Sequence, residues 1–269
     1  MASRPGTVQI DALGLRGAAC EARVESLVVE EPLEIRLDGE PLAITMRTPG
    51  HDVELAAGFL VSEGVARDFG AIASIAHCDS EGNTVDARAE PGARGIVRPE
   101  PRAFVASSAC GLCGKATLET LRTRAPALHG DATRVSAGTL LALPERLRAA
   151  QPLFRATGAL HAAALFGPDG ALWCAREDVG RHNAVDKVVG WAALEGRLPL
   201  HGTVLAISGR AGFEIAQKAL VAGIPILAAV SGSTSLAVEL ARENGMTLAA
   251  FVRGESLALY AGAERVTFP

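Results

Sequence analysis

Residues 203–252 read TVLAISGRAGFEIAQKALVAGIPILAAVSGSTSLAVELARENGMTLAAFV and alternate short apolar runs with longer amphipathic segments. The runs TVLAIS (203–208), PILAAV (225–230) and TLAAFV (247–252) are typical of strands buried on both faces of a parallel sheet. The two segments between them have helical spacing, and each ends in a glycine, which favours helix termination. This order predicts a β-α-β-α-β unit and therefore an α/β fold.

The chain before residue 100 has a different pattern. From Ser26, the segment SLVVEEPLEIRLDGEPLAITMRT carries apolar runs and alternation around Asp38-Gly39, which predicts a β-hairpin. Residues 51–61 have the spacing of an amphipathic helix, and IASIAHCD and the segment after Asn83 predict two more strands. We therefore expect a smaller β-rich subdomain that also contains a helix.

The domain organisation that follows has four parts. Residues 1–25 are expected to be a flexible segment, residues 26–100 the N-terminal subdomain, residues 101–115 a mobile loop and residues 116–269 the α/β domain. The loop prediction depends on the abundance of proline, glycine and charge that leads into it. Ser136 is expected to cap a helix that runs to about Ala150.

Composition excludes several classes of function. The 269 residues are 49% hydrophobic and 21% charged, which predicts a packed core, and a net charge of −4 with 4% aromatic residues argues against nucleic-acid binding. No apolar run is long enough to predict a membrane span, and the N-terminus does not resemble a signal peptide. We therefore expect a cytoplasmic protein, in which five sparse cysteines do not form a disulfide framework.

The pair Cys110 and Cys113 is the first candidate for chemistry. The spacing C-x-x-C lets both sulfurs reach one atom or each other, and Gly111 and Gly114 free the backbone around them. A helix that begins near Lys115 would favour the thiolate through its positive end and the lysine charge. A thiolate is the form that attacks sulfur or binds a metal.

Four interpretations of this pair remain open from the residues alone. It could form half of a zinc site with His77 and Cys78, although zinc ligands are usually spaced rather than adjacent. It could be a thioredoxin-like dithiol, although no βαβ unit precedes it. It could also be two unreactive cysteines in a loop, or a sulfur carrier.

Charged residues and histidines are dense in a second region. TGALHAAALF (157–166) precedes REDVGRHNAVDKVVG (176–190), and together they bring His161, Glu177, Asp178, Arg181, His182, Asp186 and Lys187 into a short stretch. Asp186 and Lys187 suit the solvated face of a helix after Asn183. His161, taken alone, suits a hydrogen-bonded histidine in the core. The remaining four residues are denser than a solvated loop requires.

The third candidate is an edge of the predicted sheet. The carboxyl ends of parallel strands share one edge, and the loops there are 208–212, 231–235 and 253–256. Glycine-rich loops before helices expose backbone N–H groups that suit anions, and arginines add charge-assisted bonds to phosphate. The candidate residues are Arg210, Ser231, Thr234, Ser235 and Arg253. Tight strand–helix turns would explain each loop alone, but three loops at one edge favour a ligand with phosphate.

The chain resembles the FdhD family, the sulfur carriers required for active formate dehydrogenase. The resemblance rests on EEPLEIRLDGEPLAITMRTPGHDVELAAGFLVSEG, ACGLCGK, TGALHAAALF, REDVGRHNAVDKVVG, SGRAGFEIAQKALVAGIPILAAVS, TSLAVELA and FVRG, which extend from about Ser26 to the C-terminus. Two positions depart from the family's pattern. Ala159 replaces a second glycine, and Gly232-Ser233 replaces Ala-Pro.

The resemblance implies a sulfurtransferase with a cysteine persulfide intermediate. A cysteine desulfurase would pass sulfur to Cys110, Cys113 would assist, and the sulfur would reach the bis-guanine-dinucleotide molybdenum cofactor before that cofactor enters formate dehydrogenase. The family's cofactor-binding stretch corresponds to Phe251, Val252, Arg253, Gly254, Glu255 and Ser256, for which GDP would be a mimic. The resemblance also implies a homodimer and a three-layer, cytidine deaminase-like C-terminal domain.

One feature separates the chain from true deaminases. Their zinc site needs His-x-Glu and Pro-Cys-x-x-Cys, whereas His161 is followed by two alanines. We therefore assign no metal ligand and predict no deamination. The alternative function is a zinc-stabilised chaperone of a nucleotide cofactor that performs no sulfur chemistry.

Overall fold

The computed structural model of the protein describes residues 6–97 and 127–268. Within them the strands are β1 (Thr7–Arg16), β2 (Ala19–Val28), β3 (Glu31–Leu37), β4 (Glu40–Arg47), β5 (Ile72–His77), β6 (Thr84–Ala89), β7 (Val135–Ser136), β8 (His161–Phe166), β9 (Leu172–Asp178), β10 (Val204–Ile207), β11 (Ile226–Ala229), β12 (Thr247–Arg253), β13 (Ser256–Ala261) and β14 (Val266–Thr267). The α-helices of the same residues are α1 (Asp52–Ser62), α2 (Ala137–Ala149), α3 (Pro152–Thr157), α4 (Arg181–Leu194), α5 (Phe213–Val221) and α6 (Ser235–Glu243). In these two stretches of chain, every helix is too short or too polar to cross a lipid bilayer.

The larger sheet has six strands in the order β13-β12-β11-β10-β8-β9. Strands β10, β11 and β12 are parallel, and α5 and α6 connect them, which confirms the predicted β-α-β-α-β unit. Strands β8, β9 and β13 are antiparallel to their neighbours, so the sheet is mixed. The start of β8 therefore lies at the same edge as the carboxyl ends of β10, β11 and β12.

Helices cover both faces of this sheet. Alternate residues of β8 enter different cores because successive side chains of a strand point to opposite faces. Ala162, Ala164 and Phe166 pack with Leu140, Leu143 and Leu147 of α2. Ala163 and Leu165 pack with apolar residues of α4, α5 and α6. Ser136 begins α2 as predicted, and its hydroxyl accepts a hydrogen bond from the backbone N–H of Thr139 at 2.9 Å.

A four-stranded sheet, in the order β4-β3-β6-β5, forms the N-terminal part with α1. The predicted hairpin is confirmed as β3 and β4, and Asp38 and Gly39 make its turn with φ of 53° and 87°. Helix α1 confirms the helix expected over 51–61, and β5 and β6 confirm the two further strands. Leu33 and Val85 of the sheet pack against Leu55 of the helix.

The expectation of a flexible segment over residues 1–25 is wrong for the part that the structure describes. Strands β1 and β2 form an antiparallel hairpin that pairs Thr7 with Val28 and Arg16 with Ala19, and Gly17 turns the chain with φ of 62°. Apolar and polar residues alternate in both strands, a period that suits a β-ribbon. Most residues of the ribbon are exposed on both faces. The sequence therefore has no continuous apolar face that would have predicted these two strands.

Helices α1 and α4 make the closest contact between the two parts of the fold. A Cβ atom built on Gly58 would lie 1.8 Å from the backbone oxygen of Asp186. One built on Gly190 would lie 1.8 Å from the backbone oxygen of Glu54. The two helix backbones therefore touch, and only glycine fits at these two positions.

Candidate functional site

The loops after β10 and β11 are joined to each other at the sheet edge. Ala211 and Ser233 form a parallel β-bridge. The N–H of Ala211 donates to the oxygen of Gly232 at 3.0 Å, and the N–H of Thr234 donates to the oxygen of Ala211 at 3.2 Å. These bonds hold loops 208–212 and 231–235 side by side, as the parallel strand order predicts.

The end of β12 completes the same edge. The N–H of Phe251 donates to the oxygen of Ser231 at 2.9 Å. The Phe251 ring lies over Gly232, where an added Cβ would be 3.0 Å from Cζ of the ring. The Arg253 guanidinium lies 5.7 Å from the centre of that ring. The three loops thus form one continuous surface, with an exposed aromatic ring and an arginine at one end.

The individual candidate residues differ in exposure. Arg210, Thr234, Ser235, Phe251, Arg253, Gly254, Glu255 and Ser256 are exposed, and Ser231 is half-buried. Val252 is different, because its side chain is 1% exposed and packs in the core beside α2. The Val252 side chain therefore packs beneath the edge, and only its backbone could contact a ligand. The hydroxyl of Thr234 begins α6 by accepting a bond from the N–H of Ala237 at 3.4 Å.

A carboxylate and a histidine stand where the loop after β10 enters α5. Nε2 of His182 lies 2.7 Å from Oε2 of Glu214, which is in the first turn of α5. The hydrogen bond with His182 lowers the pKa of Glu214. The Glu214 carboxylate therefore lies at the N-terminal end of α5, where the sequence predicted a phosphate, so binding of a phosphate at this edge would depend on its arginines.

His161 is the first residue of β8 and lies at the same edge. It is half-buried rather than in the core. Burial and the neighbouring charges of Arg181 and His182 lower the pKa of His161. The imidazole is therefore neutral near pH 7 and has a nitrogen able to accept a proton.

A cavity of about 850 Å³ opens beside His161. Its walls are Pro144, Glu145, Leu147, Arg148, Ala149, Gln151, Phe154, Arg155, Gly158, Ala159, Leu160, His161, Ser208 and Val230. Its volume lies within the range of small-molecule sites, roughly 300–1,000 Å³. The sequence pointed to His161 and the loop after β10, but the contribution of α2 and α3 has no motif that could have been recognised.

The charged residues of the 176–190 segment divide between the edge and the interior. Asp178 and Lys187 are 0% and 1% exposed, and their side chains lie 2.7 Å apart. Asp178 also accepts bonds from the N–H groups of Thr48 and Gly180 and from the amide of Asn183. Lys187 donates to the oxygen of Thr48 at 2.9 Å. The pair holds the end of β4 against β9 and α4, so both residues are structural.

A second buried cluster connects α1, α4 and α5. Nζ of Lys218 lies 2.9 Å from Oδ2 of Asp186, 2.7 Å from Oε1 of Glu63 and 2.8 Å from Oγ of Ser62. Burial opposes the charge of Lys218, but the two carboxylates outweigh it and raise the lysine's pKa. The expectation that Asp186 and Lys187 are solvated is therefore wrong. Helix α4 is covered by α1, a contact that sequence spacing does not reveal.

Replacement of Lys187 by methionine is expected to destabilise the fold by about 3–5 kcal/mol, because it leaves the Asp178 carboxylate buried without its cation. Urea unfolding measures this loss. Replacement of both residues, Asp178→Asn with Lys187→Met, should recover part of it by removing the uncompensated charge. An exposed cation, Arg134→Met, serves as the control. A loss below about 1 kcal/mol for Lys187→Met would contradict the structural role.

Three of the five cysteines lie in the described residues, and their environments differ. Cys20 and Cys78 are exposed, whereas Cys174 is buried. Burial raises the pKa of the Cys174 thiol to about 12, so it supplies almost no thiolate at neutral pH. Cys110 and Cys113 lie outside the described residues. Among residues 6–97 and 127–268, no three His, Cys, Asp or Glu side chains are placed to hold a metal ion, and His77 lies 3.8 Å from Asp52.

Comparisons with known proteins show which family the chain is similar to. The sequence profile of the FdhD/NarQ family matches residues 28–267. The sulfur carrier protein FdhD of Streptomyces avermitilis is 53% identical over 264 residues, which covers 94% of this chain and 93% of that protein. The sulfur carrier protein FdhD of Mycobacterium tuberculosis is 50% identical over 256 residues, which covers 91% of this chain and 93% of that protein.

One solved structure has the same fold along nearly the entire chain. The crystal structure of a putative formate dehydrogenase accessory protein from Desulfotalea psychrophila superposes with a TM-score of 0.79 at 24% identity. The match covers 98% of this chain and 100% of that one. The profile match and the identities near 50% show that the chain belongs to the FdhD/NarQ family.

Proposed function

We propose that this protein is a sulfur carrier that serves the maturation of formate dehydrogenase. The observation that carries the proposal is the extent of the likeness to proteins named sulfur carrier protein FdhD, at 53% identity over 94% of the chain. The C-x-x-C pair of Cys110 and Cys113 supplies the chemistry such a carrier needs.

Sulfur enters by thiol–persulfide exchange. The Cys110 thiolate attacks the outer sulfur of a persulfide on a cysteine desulfurase, the sulfur–sulfur bond of that persulfide breaks, and the desulfurase thiolate leaves. Cys110 then carries the persulfide, with no net oxidation. Cys113 assists or protects it. Cys174 is too deeply buried and too weakly acidic to compete for this role.

The cargo is delivered to the bis-guanine-dinucleotide molybdenum cofactor, the substrate of the transfer. Its guanine-nucleotide phosphates would sit on the edge formed by the three loops, where the guanidinium groups of Arg210 and Arg253 offer two-point contacts. Ser231, Thr234, Ser235 and the exposed residues of 251–256 surround them. The partners would be the desulfurase, formate dehydrogenase and a second copy of this chain.

The likeness to a cytidine deaminase-like fold is proposed for architecture alone. The mixed sheet with helices on both faces is the architecture that supports this likeness. His161 is the first residue of β8 in that sheet. Ala162 and Ala163 follow it, both buried, so the chain has no His-x-Glu pattern at this position, which a deaminase would need.

A direct test combines sulfur loading with client activation. Incubation with a cysteine desulfurase and cysteine should add the mass of one sulfur atom, removable by a thiol reductant, and the loaded protein should activate formate dehydrogenase. The rival is a zinc-stabilised chaperone. It predicts stoichiometric zinc on the purified protein and no sulfur adduct. That pair of results, with a desulfurase shown to be active, would overturn the proposal.

A further inference from the structure

A second cavity, of about 490 Å³, lies where helices α1 and α5 end. Residues 61–64, at the end of α1, form one side of it, and Gln217, Val221 and Ala222, at the end of α5, form another. Helix α5 begins at the loop edge and runs away from it, so this cavity is separate from the candidate site described above.

The two helix ends make this cavity attractive to a cation. The C-terminal end of a helix carries partial negative charge, which favours a positive group beside it. Helix α1 has no basic residue in its last turn. The last turn of α5 has Lys218, but that ammonium group already lies 2.9 Å from Asp186 and 2.7 Å from Glu63. The negative end of α1 therefore has no cation of its own.

Glu63 adds a carboxylate to the wall of the cavity. Its Oε1 accepts a bond from Lys218, whereas no group in the described residues donates to its Oε2. Lys218 is shared between two carboxylates, because Asp186 binds the same ammonium group. Arg67 and Asp68 are exposed residues of the wall and carry opposite charges. The second oxygen of Glu63 is thus an acceptor for a cation that enters the cavity.

Gln217 is an independent indication of a ligand. It is 9% exposed and lines the cavity, and its amide has no hydrogen-bond partner within residues 6–97 and 127–268. Neither amide atom is fully enclosed by the protein, so the amide faces the cavity. A nearly buried polar group without a partner destabilises a fold, and a ligand that bonds with the amide would explain its presence.

The rest of the wall is apolar and indicates the kind of cation. Phe69 is half-buried, and Leu198, Pro199 and Val221 add aliphatic surface. Such a wall suits the apolar stem of an organic molecule, and an aromatic ring attracts a cation. In the part of the chain that the structure describes, no three His, Cys, Asp or Glu side chains are placed to hold a metal ion. The acceptors of this cavity therefore suit N–H donors.

We propose that this cavity binds a small organic cation, a primary ammonium group on an apolar stem. Oε2 of Glu63 accepts one bond from the ammonium group, the amide oxygen of Gln217 accepts a second, and the apolar wall holds the stem. The site differs in position and in charge from the loop edge that the proposed function assigns to phosphates, so the inference does not depend on that function.

Three probes of similar length and different charge test the proposal by calorimetry on the whole protein. Pentylamine should bind with an affinity about tenfold above that of 1-pentanol, because a hydrogen bond to a charged group is the stronger kind. Pentanoate, which carries the opposite charge, should not bind. Equal affinities for pentylamine and 1-pentanol, or no binding of pentylamine, would overturn the proposal.

Three variants test the assigned residues. Glu63→Gln should lower the affinity for pentylamine by about tenfold, and Gln217→Leu by about fivefold without lowering the melting temperature of the free protein. Arg67→Gln removes a like charge from the wall and should raise the affinity. Glu40→Gln, a change at an exposed carboxylate of β4, is the matched control and should bind as the parent does.

The variants also show how the proposal would fail. Unchanged affinity in either Glu63→Gln or Gln217→Leu would overturn it, and so would a loss of binding in Glu40→Gln. If the lost contact with Lys218 unfolds Glu63→Gln, the test depends on Gln217→Leu and Arg67→Gln, which leave the buried cluster intact. Weaker pentylamine binding in Arg67→Gln would then contradict the assigned charge of the site.

Discussion

Replacement of Cys110 by serine is expected to abolish sulfur delivery to formate dehydrogenase. A hydroxyl cannot form a persulfide, and thiolate attack on the donor sulfur is the first step of the transfer. Client activation after incubation with the desulfurase should fall to the level seen without any carrier. Intact-mass measurement should show no sulfur on the variant.

The other cysteines supply the controls for this experiment. Cys78→Ser changes an exposed thiol and should retain full loading and delivery. Cys174→Ala removes a buried thiol of low acidity and should retain them in the folded fraction. Cys113→Ser should load but deliver less well. Full activation by Cys110→Ser, or its loss in Cys78→Ser, would show that the sulfur is carried elsewhere.

Replacement of Gly190 by alanine is expected to have the largest effect on stability. The new Cβ would lie 1.8 Å from the backbone oxygen of Glu54, so α1 and α4 would have to separate along their contact. A backbone atom cannot move aside as the end of a flexible side chain can. The separation of the two helices would therefore loosen the core packing around Gly190. We expect a loss above about 4 kcal/mol, at which most of the protein is unfolded or insoluble.

A second glycine tests whether the loss of stability is specific to the contact between α1 and α4. Gly138 is exposed in the first turn of α2, and its nearest neighbour to an added Cβ is Oγ of Ser136 at 3.8 Å. Gly138→Ala should therefore keep or raise the melting temperature, because alanine restricts the unfolded chain. Similar behaviour of both variants would contradict the assigned backbone contact.

Much of the fold follows from local patterns. The apolar runs that became β10, β11 and β12 are continuous because both faces of the sheet are covered, and the pattern can be read without knowledge of the rest. The same rule placed Arg210, Ser231 and Arg253 at one edge, because parallel strands share their carboxyl ends. The cavity beside that edge was not predictable, since Gln151 and Phe154 belong to no motif.

The burial of charged residues in the 176–190 segment also could not be predicted from local sequence patterns. Asp186 and Lys187 have the appearance of solvent-exposed helix residues. Asp186 is covered by α1 and Lys187 by the end of β4, and both of these elements lie more than a hundred residues earlier. Partners such as Lys218 and Thr48 have no special spacing from them. Buried charges of this kind are defined by tertiary contacts, so a sequence reading assigns them to the surface by default.

The buried pair of Asp178 and Lys187 also has a consequence for biosynthesis. The N-terminal sheet leaves the ribosome first, but the groups that bind the end of β4 belong to residues made about 130 positions later. Until they emerge, Thr48 and the underside of α1 face water or a chaperone, and the sheet is a partly formed intermediate. We expect nascent chains that stop before residue 178 to be sensitive to proteases, and chains extended well past residue 190 to become resistant.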